Sequence, residues 1–205
     1  MLKLTRKGFA SDPFGYSAAA WHHWGTVQTL AGFPIKPKLS ATSAELKDPI
    51  LWLTQATALS QAAKVLLNAE TSWEHMPLSA RAMCDSQYCA AALMLVGYSL
   101  EVCLKGVQIL RKGVHAYSSE ERHFLHHRLE ELGEVVPGLD AKEQAILRLL
   151  THFVTWAGRY PDPGKKSEHS SSEVFDLSEK YQVTGRDLFA LATKVMDYMQ
   201  VVVNE

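Results

Sequence analysis

The chain is poor in the features that usually betray a chemistry. Only three of its 205 residues are cysteine, Cys84, Cys89 and Cys103, an odd set without a Cys-x-x-Cys pair. That pattern suits neither a disulfide framework nor a zinc site. Cys89 and Cys103, set among apolar neighbours, are expected to behave as small buried hydrophobes. There is no glycine-rich phosphate loop, no Gly-x-Ser-x-Gly elbow and no His-Glu-x-x-His, so the reactions those motifs support have no carrier here. An excess of one charge is also missing, with 21 Lys and Arg against 22 Asp and Glu. A globally basic nucleic-acid binder is thereby excluded, although a local basic patch is not. Long apolar runs are absent too: the longest, Cys89 to Val96, is under half of the about 20 residues a membrane-spanning helix needs. Met1 to Lys7 is basic but carries no apolar core segment, so no signal peptide is expected. These absences lead to the expectation of a soluble cytoplasmic protein without a membrane partner.

What is present is ordinary globular composition, 47% hydrophobic and 21% charged, which argues against disorder or low complexity. At roughly 150 residues per domain, the length allows one domain with an extension. The extension is residues 1–47. It holds Pro13, Pro34 and Pro37, four glycines and the aromatics Phe14, Tyr16, Trp21 and Trp24, with no sustained period. An irregular arm is expected, with one short helix around Ala18 to Leu30 and the aromatics packed on this subunit or a neighbour.

From Asp48 onward, residues 48–205 read as helices. Asp48-Pro49 is a start signal, because Asp caps orphan N–H groups and Pro loses nothing at the first helical position. Trp52, Ala56, Leu59, Ala63 and Leu66 then form one apolar stripe ending near Glu70. The most apolar segment, Ser79 to Lys112, keeps the helical step through Leu93, Val96, Leu100, Cys103, Leu104, Val107 and Leu110, and Gly113 ends it. It belongs at the centre of a bundle. Capping boxes at Ser118/Glu121, Asp140/Glu143 and Thr184/Asp187 predict three more helices, reaching about Leu132, Gly158 and Val202. The fold class is therefore all-α, a bundle of about five helices.

The densest polar cluster is Glu120-Glu121-Arg122-His123-Phe124-Leu125-His126-His127-Arg128-Leu129-Glu130-Glu131. It admits three readings. Leu125, Leu129 and Leu132 could face the core, leaving a solvated histidine face. His123, His127 and Glu131, at i, i+4 and i+8, could share a face and hold a divalent ion. Arg122 and His127 could act on a phosphate, the His as acid or base and the Arg on developing charge. A continuous helix from Ser118 would set Arg122 and His127 about 140° apart. On the central helix, Tyr98, Glu101 and Lys105 share one face. Glu101 and Lys105 form the favourable i, i+4 pair, or else Glu101 points into a seam and orients a functional His or Arg. Arg159-Tyr160-Pro161-Asp162-Pro163-Gly164-Lys165-Lys166 reads as a proline-fixed basic loop.

Gly97-Tyr98-Ser99-Leu100-Glu101-Val102-Cys103-Leu104-Lys105-Gly106 resembles the central-helix signature of HEPN-like domains, the higher-eukaryote and prokaryote nucleotide-binding helical bundles. His127-Arg128-Leu129-Glu130-Glu131-Leu132 is similar to their "His, any, Leu" helix start, and Trp156-Ala157-Gly158-Arg159-Tyr160-Pro161 looks like a stretch of one bacterial branch. The resemblance covers about Leu51 to Val203. It implies a homodimer and a metal-independent endoribonuclease of a defence or toxin-type system, with no cofactor and no metal ligand. Arg122 to His127 matches the family's Arg-x4–6-His form, including the polar His123 after the Arg. His127 would move a proton, Arg122 would stabilise the phosphate and Glu101 would orient them. The alternative is a non-catalytic module that binds a nucleotide, RNA or partner protein, with His123, Lys105, Arg159, Tyr160, Lys165 and Lys166 as the binding residues.

Overall fold

Asp48 accepts the Ile50 N–H at 2.9 Å and Pro49 takes the first helical position, so α4 (Pro49–Asn68) begins where its start signal lies. The structure, a computed structural model, describes residues 6–33, 41–164 and 170–205. Among the described residues there is no strand, and the fold is all-α. Pro34 and Pro37 of the arm, and Lys165 and Lys166 of the basic loop, lie outside the described residues.

The arm is more regular than its composition suggests. It holds α1 (Lys7–Ser11), α2 (Pro13–Ala18) and α3 (Ala20–Leu30), and a 3-10 turn at Glu45–Lys47 leads into α4. Asp12 caps α2 by accepting the Gly15 N–H at 2.9 Å, the same Asp-Pro start that opens α4. Trp21 and Trp24 stack with ring centroids 4.5 Å apart. They line an apolar groove of about 1040 Å³ against Leu46, Trp52 and Val102, so α3 lies on the body of its own subunit, whereas Phe14 of α2, expected to pack, is 85% exposed.

The 35-residue α5 (Leu78–Lys112) is the axis of the bundle. Val96, Leu100, Cys103, Leu104 and Val107 are all 1% exposed or less. They pack with Ala56 and Ala63 of α4, with Leu129, Leu132, Ile146 and Leu150, and with Leu191, Val195 and Met199. By length and composition α5 is long and apolar enough to cross a membrane, and 56% of its most apolar window is buried inside the protein. Gly113 ends it at φ +79°, a conformation that costs a glycine little.

Beyond Gly113 the predicted helix from Ser118 to Leu132 does not form. The chain makes α6 (Val114–Glu120), a 3-10 turn at Glu121–His123, an irregular stretch, and the short α7 (Leu129–Gly133). Ser118 does not cap; it sits inside α6 and donates to the Val114 carbonyl at 2.7 Å. Phe124 folds back to stack on the buried Tyr117, centroids 5.0 Å apart, and the Thr151 hydroxyl accepts the Leu129 N–H at 2.9 Å. Tertiary partners thus take over the groups a continuous helix would have used. Leu129 and Leu132 are buried as expected, but Leu125 is 69% exposed.

Both remaining capping boxes form, Asp140 with Glu143 opening α8 (Ala141–His152) and Thr184 with Asp187 opening α10 (Gly185–Val203). A π-helical turn, Phe153–Ala157, continues α8 to Gly158. Between them stands α9 (Ser170–Tyr181), a helix the periodicity did not announce. It is held to α8 through Glu173, which takes the His152 ring nitrogen Nε2 at 2.9 Å and pairs with Arg148.

A carboxylate–histidine pair on the central helix

The irregular stretch after α6 frees His127 to turn toward α5. Its Nδ1 lies 2.8 Å from Oε2 of Glu101. The other carboxylate oxygen of Glu101, Oε1, accepts from Lys105 Nζ at 2.7 Å. Glu101 and Lys105 are 6% and 9% exposed, whereas the His127 side chain is 46% exposed. A buried carboxylate is tolerable only when paired and fully hydrogen-bonded, and here both oxygens have a charged or polar partner. An ionised carboxylate can only accept, so the shared proton sits on Nδ1 and leaves Nε2 of a neutral ring with its lone pair. This is the arrangement in which an oriented imidazole takes and returns a proton.

The site is braced from the opposite side. Tyr98, one turn before Glu101 on α5, meets the His127 ring edge to face, centroids 6.2 Å apart. Its hydroxyl donates to the Val154 carbonyl, in the π-helical turn, at 3.3 Å. That turn approaches α5 closely at Gly97, where an added Cβ would lie 2.5 Å from Val154 Cγ1. After His127, Thr151 donates to Glu130 at 2.8 Å while accepting the Leu129 N–H. His127 is therefore fixed by a carboxylate below, an aromatic edge beside it and an anchored helix start behind it.

The predicted residues divide as follows. Glu101, Lys105 and His127 come together: the i, i+4 ion pair forms, and the same carboxylate hydrogen-bonds His127. Arg122 is exposed in the 3-10 turn, and among the described residues no group hydrogen-bonds or pairs with it. Because the segment is not one helix, the angle computed for Arg122 and His127 does not apply, and His123, His127 and Glu131 share no helical face. Among the described residues no three His, Cys, Asp or Glu side chains gather as an ion would need, and Glu131 pairs with Arg128 instead. His123 is exposed and lies with Gln108 and Lys112 of α5. Arg159 and Tyr160 stand apart from His127 in the chain, the guanidinium 5.2 Å from the centre of the Tyr160 ring. Of the cysteines, Cys103 is buried but Cys89 is exposed, against expectation.

Three contributors escaped the sequence reading. Thr151 carried no visible signal. Gln108 continues the Glu101 and Lys105 face of α5 and could have been found from that spacing. His126 is largely covered: its Nδ1 accepts the Arg128 N–H at 3.2 Å. Burial, then the nearby Arg128 charge, pushes its pKa below the usual histidine value.

Comparison with family models, with curated proteins and with solved structures finds no match to this chain.

Proposed function

We propose that the chain is a HEPN-like helical-bundle protein acting as a metal-independent endoribonuclease, with His127 as its proton-transfer group. The observation that carries this reading is the 2.8 Å hydrogen bond from His127 to the buried Glu101. A buried carboxylate bound to a half-exposed imidazole is costly as a structural device and apt as a catalytic one. In the proposed reaction the ribose 2′-oxygen attacks the adjacent phosphorus and the bond to the 5′-oxygen breaks. The products are a 2′,3′-cyclic phosphate and a free 5′-hydroxyl. Nε2 of His127 takes the 2′-hydroxyl proton, or in its protonated form supplies one to the leaving oxygen. Arg122, exposed and unpaired among the described residues, is suited to the charge that builds on the phosphate oxygens. Two copies facing each other in a homodimer would line one cleft with both groups.

The test is incubation of labelled mixed-sequence RNA with the protein in EDTA, beside Arg122→Ala and His127→Ala. The expected result is cleavage to cyclic-phosphate ends by the wild type, falling by about 10²–10⁴ without His127. Undiminished cleavage by both variants would sink the proposal.

A second reading, a binding module without turnover, draws on the Arg159–Tyr160 tip. Tyr160 is 54% exposed, yet its backbone N–H is held by the Trp156 carbonyl at 2.8 Å, so an aromatic and a cation are presented on a fixed turn. Salt-sensitive RNA binding lost in Arg159→Ala, with no cleavage, is what that reading expects.

A further inference from the structure

The polar stripe of α5 does not stop at Lys105. Gln108 and Lys112 continue it, since positions 101, 105, 108 and 112 follow the three- and four-residue steps of one helical face. The chain after α6 crosses over this stripe. His127 meets its Glu101 end, and around the other end a pocket of about 350 Å³ opens between Gln108, Lys112, His123, Phe124, His126 and Glu134. The two places adjoin: His126 lines the pocket and also feels the charges of Lys105 and Glu101.

Much of the lining is polar, and several of its groups have hydrogen-bonding capacity that no other protein group takes up. Among the described residues the Gln108 amide, the His123 ring and the Glu134 carboxylate make no hydrogen bond, although Gln108 is half-buried. Lys112 pairs with Glu120 at 2.7 Å at the rim and lies 5.4 Å from the centre of the Phe124 ring. His126 spends Nδ1 on the Arg128 N–H, which leaves Nε2–H as a donor, 3.8 Å from the nearer Glu131 oxygen. Gln108 is half-buried while His123 and Glu134 are exposed to solvent, so this concave site offers a polar ligand both donors and acceptors.

We infer that this pocket is a base subsite for guanine, next to the phosphate position at His127. The size is at the small end for ligand pockets, enough for one nucleoside. Among the RNA bases, only guanine sets two neighbouring N–H donors beside a carbonyl on one edge. A free carboxylate such as Glu134 accepts the two donors, and Lys112 or the Gln108 amide donates to the carbonyl, the pairing that lysine makes with guanine O6 elsewhere. Bases of single-stranded RNA are read on such exposed edges. The inference rests on the ribonuclease reading for the strand that would bring the base in, but binding of the base does not require turnover.

The test uses the full chain in a His127→Ala background, so that no RNA is consumed. The 3′-monophosphates of guanosine, adenosine, cytidine and uridine are titrated by calorimetry, with and without Glu134→Gln and, separately, Gln108→Leu; thermal melts confirm that each variant folds. The guanosine nucleotide should bind about tenfold more tightly than the others, and Glu134→Gln, an exposed position, should abolish that preference. Equal affinity for all four, or a preference untouched by both substitutions, would overturn the subsite. The cleaving protein gives an independent readout, with cuts gathered beside guanosines. Cleavage without base preference would refute the subsite alone, whereas guanosine binding without any cleavage would refute the ribonuclease and leave the subsite standing.

Discussion

Glu101 and His127, 26 positions apart in the chain, share a 2.8 Å hydrogen bond in which Oε2 of the carboxylate holds Nδ1 of the ring. The opposite oxygen of the same carboxylate is occupied by Lys105. The carboxylate is thus a shared anion between a buried ammonium and a half-exposed imidazole. Its two partners pull on different properties, Lys105 on stability and His127 on orientation.

That division is measurable. Glu101→Gln keeps a hydrogen-bonding oxygen near His127 but strands the Lys105 charge in the core, and urea unfolding should show a loss of about 3–5 kcal/mol. Replacing both buried charges, as Glu101→Leu with Lys105→Met, should recover most of that loss, since an ion pair exchanged for apolar groups is often neutral. A Glu101→Gln protein within about 0.5 kcal/mol of wild type would contradict the buried pair as described.

Two glycines should respond with opposite signs to the same substitution. An alanine at Gly97 would set its Cβ 2.5 Å from Val154 Cγ1 and 3.4 Å from the Leu150 carbonyl. Overpacking of this kind costs about 1–3 kcal/mol, more than the helix gains from alanine. At Gly185 nothing lies within 4 Å of the added atom, and alanine should stabilise by about 0.4–1 kcal/mol. Paired denaturation curves decide it, and a stabilising Gly97→Ala would show that α5 and the π-helical turn are not in close contact.

Thiol chemistry separates the three cysteines. Burial pushes the Cys103 thiol up to about 12, so almost no thiolate exists near neutrality. A disulfide reagent should label two thiols per native chain, the exposed Cys89 and the half-exposed Cys84, and reach the third only in denaturant. Rapid labelling of three in the native protein would place Cys103 outside the core.

Acid should act on the α10 start. Hydrogen bonds from Lys142 and from the Thr184 side chain and backbone hold the Asp187 carboxyl at about 2, down from 3.8. A carboxylate lowered on folding contributes stability that is complete above its unfolded value and lost as pH falls through the folded one. The wild-type melting temperature should therefore drop between about pH 4 and pH 2 more than that of Asp187→Asn, which lacks this contribution. Parallel profiles through that window would remove Asp187 from the account.

Sequence carried the parts of this fold that are local. The Asp48, Asp140 and Thr184 caps are read from residues two or three apart, and each forms as its spacing predicts. Asp12-Pro13 carries the same signal and opens α2, although the prolines, glycines and missing period of the arm predict an irregular segment. The Ser118 box failed because the decision there is not local: Tyr117 claims Phe124 by stacking, and Thr151, far along the chain, claims the Leu129 N–H. The same break is what lets His127 reach Glu101. A carboxylate in an apolar helix is legible as an oddity, and the resemblance pairs it with His127, but spacing alone cannot separate His127 from His123 or His126 because the contact depends on the helix stopping short.

The salt link between Lys47 and Glu121 bears on where this protein can be cut. Lys47 is 4% exposed, with Nζ 3.2 Å from Glu121 Oε1 and 2.8 Å from Ser43 Oγ. The boundary that composition draws after residue 47 would sever it from the bundle and leave an acidic group uncompensated in the turn that carries Arg122. A fragment meant to keep Arg122 and His127 in place should therefore begin before Ser43, so that the last segment of the arm travels with the bundle.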